Sequence, residues 1–151
     1  MNIKTEIIAE IAQGYEGKKK LLNQLVNEAI SLDVDGIKFQ LVYADELATR
    51  DYKYYKLFKS LQMPISDWMK ISKKIRNKKK LYFDIFGEKS LKIAKKLKAD
   101  GVKLSTTEFY NENLINKFLK CFKKVILSVG GLPIKEIKKL EKKILNKYKK
   151  K

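Results

Sequence analysis

Short apolar runs that finish on a polar residue recur along the chain, separated by stretches whose apolar residues fall three and four apart. Thr5 to Ile11 reads as a first strand in which Ile7, Ile8 and Ala9 run into Glu10. Gly36 to Leu41 alternates: Ile37 and Phe39 are apolar, while Lys38 and Gln40 fall on the opposite face of the strand. Leu81 to Phe86, Val102 to Ser105 and Val125 to Val129 read as three more strands, with Lys103 on the fourth and Ser128 on the fifth. Between the strands, helical spacing recurs in Leu21, Leu22, Leu25, Val26, Ala29 and Ile30, then in Trp68, Ile71 and Ile75, and again in Leu91, Ala94 and Leu97. Leu114, Ile115 and Phe118 mark a further helix, and Ile137, Leu140 and Ile144 the last. Ser66 is the expected N-cap of the helix holding Trp68, Asn111 caps the one holding Leu114, and Pro133 fits the first turn of the last. The polar and aromatic segment from Val42 to Met63 is long for a connection, so it carries a function or a short helix of its own.

Strand and helix alternate throughout, which implies parallel strands joined by right-handed crossovers. The expected architecture is α/β, with TIM-barrel-like parallel βα repeats. The barrel is incomplete, because units of about 30 residues give about five where closure needs eight. We assign residues 1–148 to this partial barrel and 149–151 to a lysine tail, the chain being expected to fray from Lys147. In such a fold the strand C-termini build the site. A lysine inside an apolar strand run is costly, which singles out Lys38.

Composition narrows the chemistry. The 151 residues suit one domain with a real core, and 44% of them are hydrophobic. The net charge is +18, and all but Arg50 and Arg76 of the 35 basic residues are lysine. Sequence-specific nucleic-acid readers lean on arginine, so the charge implies non-specific attraction to polyanions and no specific nucleic-acid partner. There is no histidine and one cysteine, Cys121, which excludes Ser/His or Cys/His catalysis, a histidine-held metal and an intrachain disulfide. No apolar run approaches a membrane span and the N-terminus lacks a signal-peptide core, so the expected compartment is cytoplasmic, with no membrane partner.

Several short stretches, in order along the chain, resemble the sialic acid synthase family (N-acetylneuraminate and related nonulosonate synthases). They are Ile7-Ile8-Ala9-Glu10-Ile11 with Glu16-Gly17, then Lys38-Phe39-Gln40, Ala44-Asp45-Glu46-Leu47-Ala48-Thr49 and Ser66-Asp67-Trp68. Val102-Lys103-Leu104-Ser105 with Glu108, and Ile126-Leu127-Ser128-Val129-Gly130, continue the likeness. The resemblance implies a C–C bond-forming transferase. It would condense phosphoenolpyruvate with an N-acylated amino sugar to a nine-carbon acid in carbohydrate biosynthesis, releasing phosphate. By position, Lys38 and Lys103 would hold the phosphate and carboxylate of phosphoenolpyruvate, with Gln40 beside them. Ser128, with Ser105 or Thr106, would hydrogen-bond the phosphate. Glu10 would sit beside the reacting carbon, and Glu108 would contact the sugar. The family also implies a divalent metal, Mn or Mg, to polarise the sugar aldehyde.

Three departures from the family's pattern stand out. Gly14-Tyr15 replaces an Asn-His pair in the first loop, and Phe83-Asp84-Ile85-Phe86 replaces a Ser-Thr-Pro-Phe run at the end of the third strand. Asp84 thus puts a negative charge where a hydroxyl would meet phosphate, which weakens anion binding. The family's metal-binding histidines lie on later strands, so the metal ligands are absent from this sequence. Glu10 has a structural alternative, an ion pair with Lys38. The chain as a whole has one too: a non-catalytic anion-binding fragment or subunit, associating as a homo-oligomer or with a complementing chain to cover exposed sheet edges.

Overall fold

The computed structural model describes residues 5–148. Five strands, β1 (Ile8–Ala12), β2 (Gly36–Gln40), β3 (Lys80–Ile85), β4 (Gly101–Leu104) and β5 (Lys124–Leu127), form one parallel sheet. Their order in space is their order in sequence. Each connection therefore steps one strand the same way. Right-handed crossovers that never reverse direction lay all their helices on one face. That is the winding of a barrel, and among the described residues no switch point of an open doubly wound sheet occurs.

The crossover after β1 is α1 (Lys19–Ser31). After β2 come two short helices, α2 (Ala44–Leu47) and α3 (Tyr55–Ser60), and then α4 (Ile65–Ile75). β3 is followed by α5 (Glu88–Lys96), β4 by a single 3₁₀ turn (Thr106–Glu108) and α6 (Glu112–Cys121), and β5 by α7 (Ile134–Tyr148). The segment between Val42 and Met63 thus does carry helices of its own. Asn111 caps α6 as its position suggests, its side chain accepting from the Leu114 N–H at 3.1 Å. Ser66 does not cap α4. That helix starts one residue earlier, with Pro64 at the N-cap position, where a φ of −57° suits the entry and no N–H is left wanting. Pro133 likewise precedes the last helix instead of lying within it, and Ser128 falls just past the end of β5. Fraying from Lys147 is not seen: Lys147 and Tyr148 are the last residues of α7, and both side chains donate to Asn116 Oδ1 at 3.0 Å. The proposed tail, 149–151, lies outside the described residues.

Period-two alternation decides which strand residues meet the helices. Ile37 and Phe39 of β2, Leu81, Phe83 and Ile85 of β3, and Val102 and Leu104 of β4 are buried in one core. It also takes in Leu22, Val26, Trp68, Ile71, Ile75, Leu91, Ile115 and Phe118 from the helices. Trp68, 1% exposed, anchors it, with ring centroids 5.4 Å from Tyr15, 5.5 Å from Phe39 and 5.6 Å from Phe83, all edge-on. Tyr15 is therefore a packing residue, its hydroxyl donating to the Gln40 carbonyl at 3.1 Å.

The opposite face carries the remaining strand residues. Glu10, Lys38, Tyr82, Gly101 and Lys124 lie in register across it, and Gln40, Asp84, Lys103 and Ile126 form the next row toward the strand C-termini. Tyr82 lies between two glycines. A β-carbon on Gly36 would stand 2.6 Å from one edge of its ring, and one on Gly101 2.6 Å from the other. Its hydroxyl donates to Glu6 at 2.5 Å, and Glu6 also pairs with Lys80 at 3.0 Å and with Lys124. The N-terminal end of this face is thus closed by side chains, and its C-terminal end carries the candidate site.

Candidate anion site at the strand ends

Lys38 and Lys103 reach one another through Asp84. The three residues stand on β2, β4 and β3, all on the helix-free face because each is an even number of residues from its partner row. Asp84 Oδ1 accepts from Lys38 Nζ at 2.7 Å, and Oδ2 accepts from Lys103 Nζ at 3.2 Å. One carboxylate is therefore bridged by two ammonium groups, one to each oxygen. Glu10 joins from β1, pairing with Lys38 from the other side. Lys38 is 7% exposed and Asp84 5%, while the Lys103 and Glu10 side chains reach water.

The electrostatics follow from that geometry. Two cations and two carboxylates leave the cluster formally neutral. Burial alone would depress the Lys38 pKa, but hydrogen bonds to Asp84 and Glu10 outweigh it and hold the ammonium above its usual range. A buried ion pair of this kind is tolerated because each charge is matched. Its immediate surroundings offer ammonium donors and strand-end hydroxyls.

The other sequence-predicted residues spread around this cluster. Gln40 ends β2 and lies beside Asp84 in register. Ser105 follows β4 and accepts a hydrogen bond from Thr107 at 3.1 Å, and Thr106 begins the 3₁₀ turn. Ser128 lies past β5, and its N–H extends the ladder to the Leu104 carbonyl at 3.1 Å. Glu108 stands apart from the lysines. It accepts from Asn111 at 2.8 Å and lines a cleft of about 230 Å³ with Phe86, Gly87 and Lys117.

Two features of this end were not anticipated. Asp84, the charge that stands where a hydroxyl would meet phosphate, is also the group that bridges both lysines. Glu46, from α2, reaches across to the start of α5, where its carboxylate accepts from the N–H groups of Lys89 at 2.6 Å and of Ser90 at 3.2 Å. A carboxylate at a helix N-terminus satisfies orphan donors and meets the positive end of the helix dipole. Gly87 makes room for it, since a β-carbon there would stand 2.5 Å from the Glu46 carboxylate.

A larger cleft, about 410 Å³, lies at the opposite end of the sheet and is lined by Arg76, Lys78, Lys79, Lys98, Asp35 and Asp100 among others. It adjoins the C-termini of α4 and α5, whose free carbonyls attract cations, so its basic lining has a structural cause. Among the described residues no group of three His, Cys, Asp or Glu side chains is placed to hold a metal ion. The donor set of the described residues therefore does not fit the divalent metal that the resemblance implied. No helix among the described residues is long and apolar enough to cross a membrane.

Comparison with known proteins agrees with the winding of the sheet. An uncharacterised protein of Methanocaldococcus jannaschii is 28% identical over 134 residues, spanning 88% of this chain and 40% of that one. The crystal structure of an N-acetylneuraminic acid synthetase from Leptospira borgpetersenii, solved in complex with citrate, superposes with a TM-score of 0.82 at 21% identity. It covers 93% of this chain and 52% of its own. A spore coat polysaccharide biosynthesis protein of Bacillus subtilis gives a TM-score of 0.78 at 21% identity, over 95% and 41%. The chain thus spans about half, or less, of the length of these proteins. At such identities the superpositions show a shared fold. Residues 25–151, most of the chain, match the NeuB family, and the protein belongs to that family.

Proposed function

We propose that this chain supplies the anion-holding side of a sialic acid synthase-like site that acts in carbohydrate biosynthesis. The observation that carries the reading is the convergence of Lys38 and Lys103 on a single carboxylate at the strand ends. Two ammonium groups spaced to take one oxygen each form a seat for a small acid. Membership of the NeuB family supports the reading. So does the structural relative from Leptospira borgpetersenii, a sialic acid synthetase in complex with citrate, itself a multiply charged acid. In this reading the substrates are phosphoenolpyruvate and an N-acylated amino sugar, condensed with release of phosphate. Lys38 and Lys103 hold the phosphate and carboxylate, and Ser105, Thr106 and Ser128 offer hydroxyls to the phosphate. Glu10 lies beside the reacting carbon, and Glu108 meets the sugar.

The test is calorimetric titration of the chain with phosphoenolpyruvate at moderate salt, with sulfate as control. Saturable binding that sulfate does not reproduce, and that Lys38→Ala abolishes in a folded variant, is the expected result. Equal response to both anions, or unchanged affinity in Lys38→Ala, sinks the assignment.

Two observations favour a second reading, a non-catalytic subunit that completes its fold with another chain. Asp84 and Glu10 together already match the charge of both lysines, and the outer edges of β1 and β5 have no strand partner among the described residues. A complex whose assembly confers synthase activity would support it.

A further inference from the structure

We infer that Asp84 is a built-in competitor for the anion seat, and that this residue, more than the lysines, sets which acids the site accepts. The inference rests on the anion-site reading above. The Asp84 carboxylate does what a bound acid would do: each oxygen takes one lysine, at 2.7 and 3.2 Å. It is 5% exposed and sits on the central strand, between Gln40 and Lys103 in register. The side chain is short and its backbone is held on both sides by ladder hydrogen bonds, so the carboxylate has little room to withdraw. The lysines are long and can turn. An incoming acid must therefore draw Lys38 and Lys103 away from Asp84 and then lie beside its charge. That repulsion grows with the charge of the ligand, so a phosphate dianion is penalised more than a monocarboxylate. Glu10 does not act in the same way, because its side chain is 44% exposed and solvent screens it.

The experiment compares wild type, Asp84→Asn and Lys38→Ala/Asp84→Asn, titrated calorimetrically with phosphoenolpyruvate and with inorganic phosphate at fixed ionic strength. Asparagine keeps the size and one acceptor oxygen and removes the charge. The expected wild-type dissociation constant for either ligand is above about 1 mM. Asp84→Asn is expected to lower it by about 10–100-fold, and Lys38→Ala in that background to remove the gain. Saturable binding of equal strength in wild type and Asp84→Asn overturns the competitor role and leaves the anion site standing. No binding by either folded protein overturns both. The wild type alone also decides the matter should the variants not fold, because submillimolar binding with Asp84 in place refutes the inference.

Discussion

Replacing Lys38 with methionine keeps most of the side-chain bulk and removes the cation nearest Asp84. The carboxylate, 5% exposed, is then left with Lys103 at 3.2 Å. Breaking a buried pair by removing one partner typically costs about 3–5 kcal/mol. Here each charge keeps a second partner, Lys103 for Asp84 and Glu10 for Lys38, with side chains 32% and 44% exposed. Exposed partners are worth about 1 kcal/mol or less, so they offset only part of the loss. The expected cost is about 2–3 kcal/mol for Lys38→Met and about 2 kcal/mol for Asp84→Asn. The double variant leaves neither charge without its buried partner, so it should cost less than the sum, with a coupling energy of about 1–2 kcal/mol. Equilibrium unfolding in urea at neutral pH, followed by circular dichroism, reads this directly. With a slope of about 2 kcal/mol per molar, each single variant moves the midpoint down by about 1 M. Losses that add to within about 0.5 kcal/mol would refute the claim that the two side chains stabilise one another.

Two further outcomes follow from the same face of the sheet and its core. Gly101→Ala places a β-carbon 2.6 Å from the Tyr82 ring, and the ring can yield only toward Gly36, where the missing β-carbon leaves a narrow gap. The expected loss is about 1–3 kcal/mol in thermal melts, and it should largely vanish in a Tyr82→Ala background. An unchanged melting temperature would show that the ring moves freely. Burial holds the phenol of Tyr15 well above its usual range, with the nearby Tyr43 adding to it, and burial with Glu46 nearby pushes Tyr43 up to about 12. Both groups therefore keep their protons in the folded chain at pH values where the unfolded chain releases them. Stability should be level below pH ~10 and then fall with rising pH up to the folded values, by about 1.4 kcal/mol per pH unit for each group. Phenolate absorbance from these two residues before unfolding would contradict this.

The parts of this molecule that local pattern encodes were legible in the sequence. Alternation in Leu81-Tyr82-Phe83-Asp84-Ile85 fixes which residues enter the core, and the five strands and their parallel winding follow from strand–helix order. The Asn111 cap is a contact between residues three apart and could be read directly. The Ser66 cap failed for an equally local reason: proline already supplies the helix entry two residues earlier. The site was legible residue by residue, but its wiring was not. The pairing of Glu10 with Lys38 is the structural alternative that their residue types offer to a catalytic role. Asp84 lies 46 residues from Lys38 and 19 from Lys103, and only the register of three strands brings them together. Glu46 lies 44 residues from Ser90, and nothing in either neighbourhood marks them as partners.

That reach of Glu46 to the start of α5 bears on how a charged molecule would find the strand ends. The first N–H groups of a helix project a fixed positive potential, and beside a cleft they act as a funnel that raises encounter rates. Here the potential is spent inside the chain on Glu46 at 2.6 Å. With Asp84 and Glu10 matching Lys38 and Lys103 alongside, this cluster adds little net field, although the chain carries +18 overall. Its pull on anions is directed to the lysines of the outer helices. Small acids therefore reach the strand ends at an unsteered diffusional rate, and added salt should slow their arrival very little.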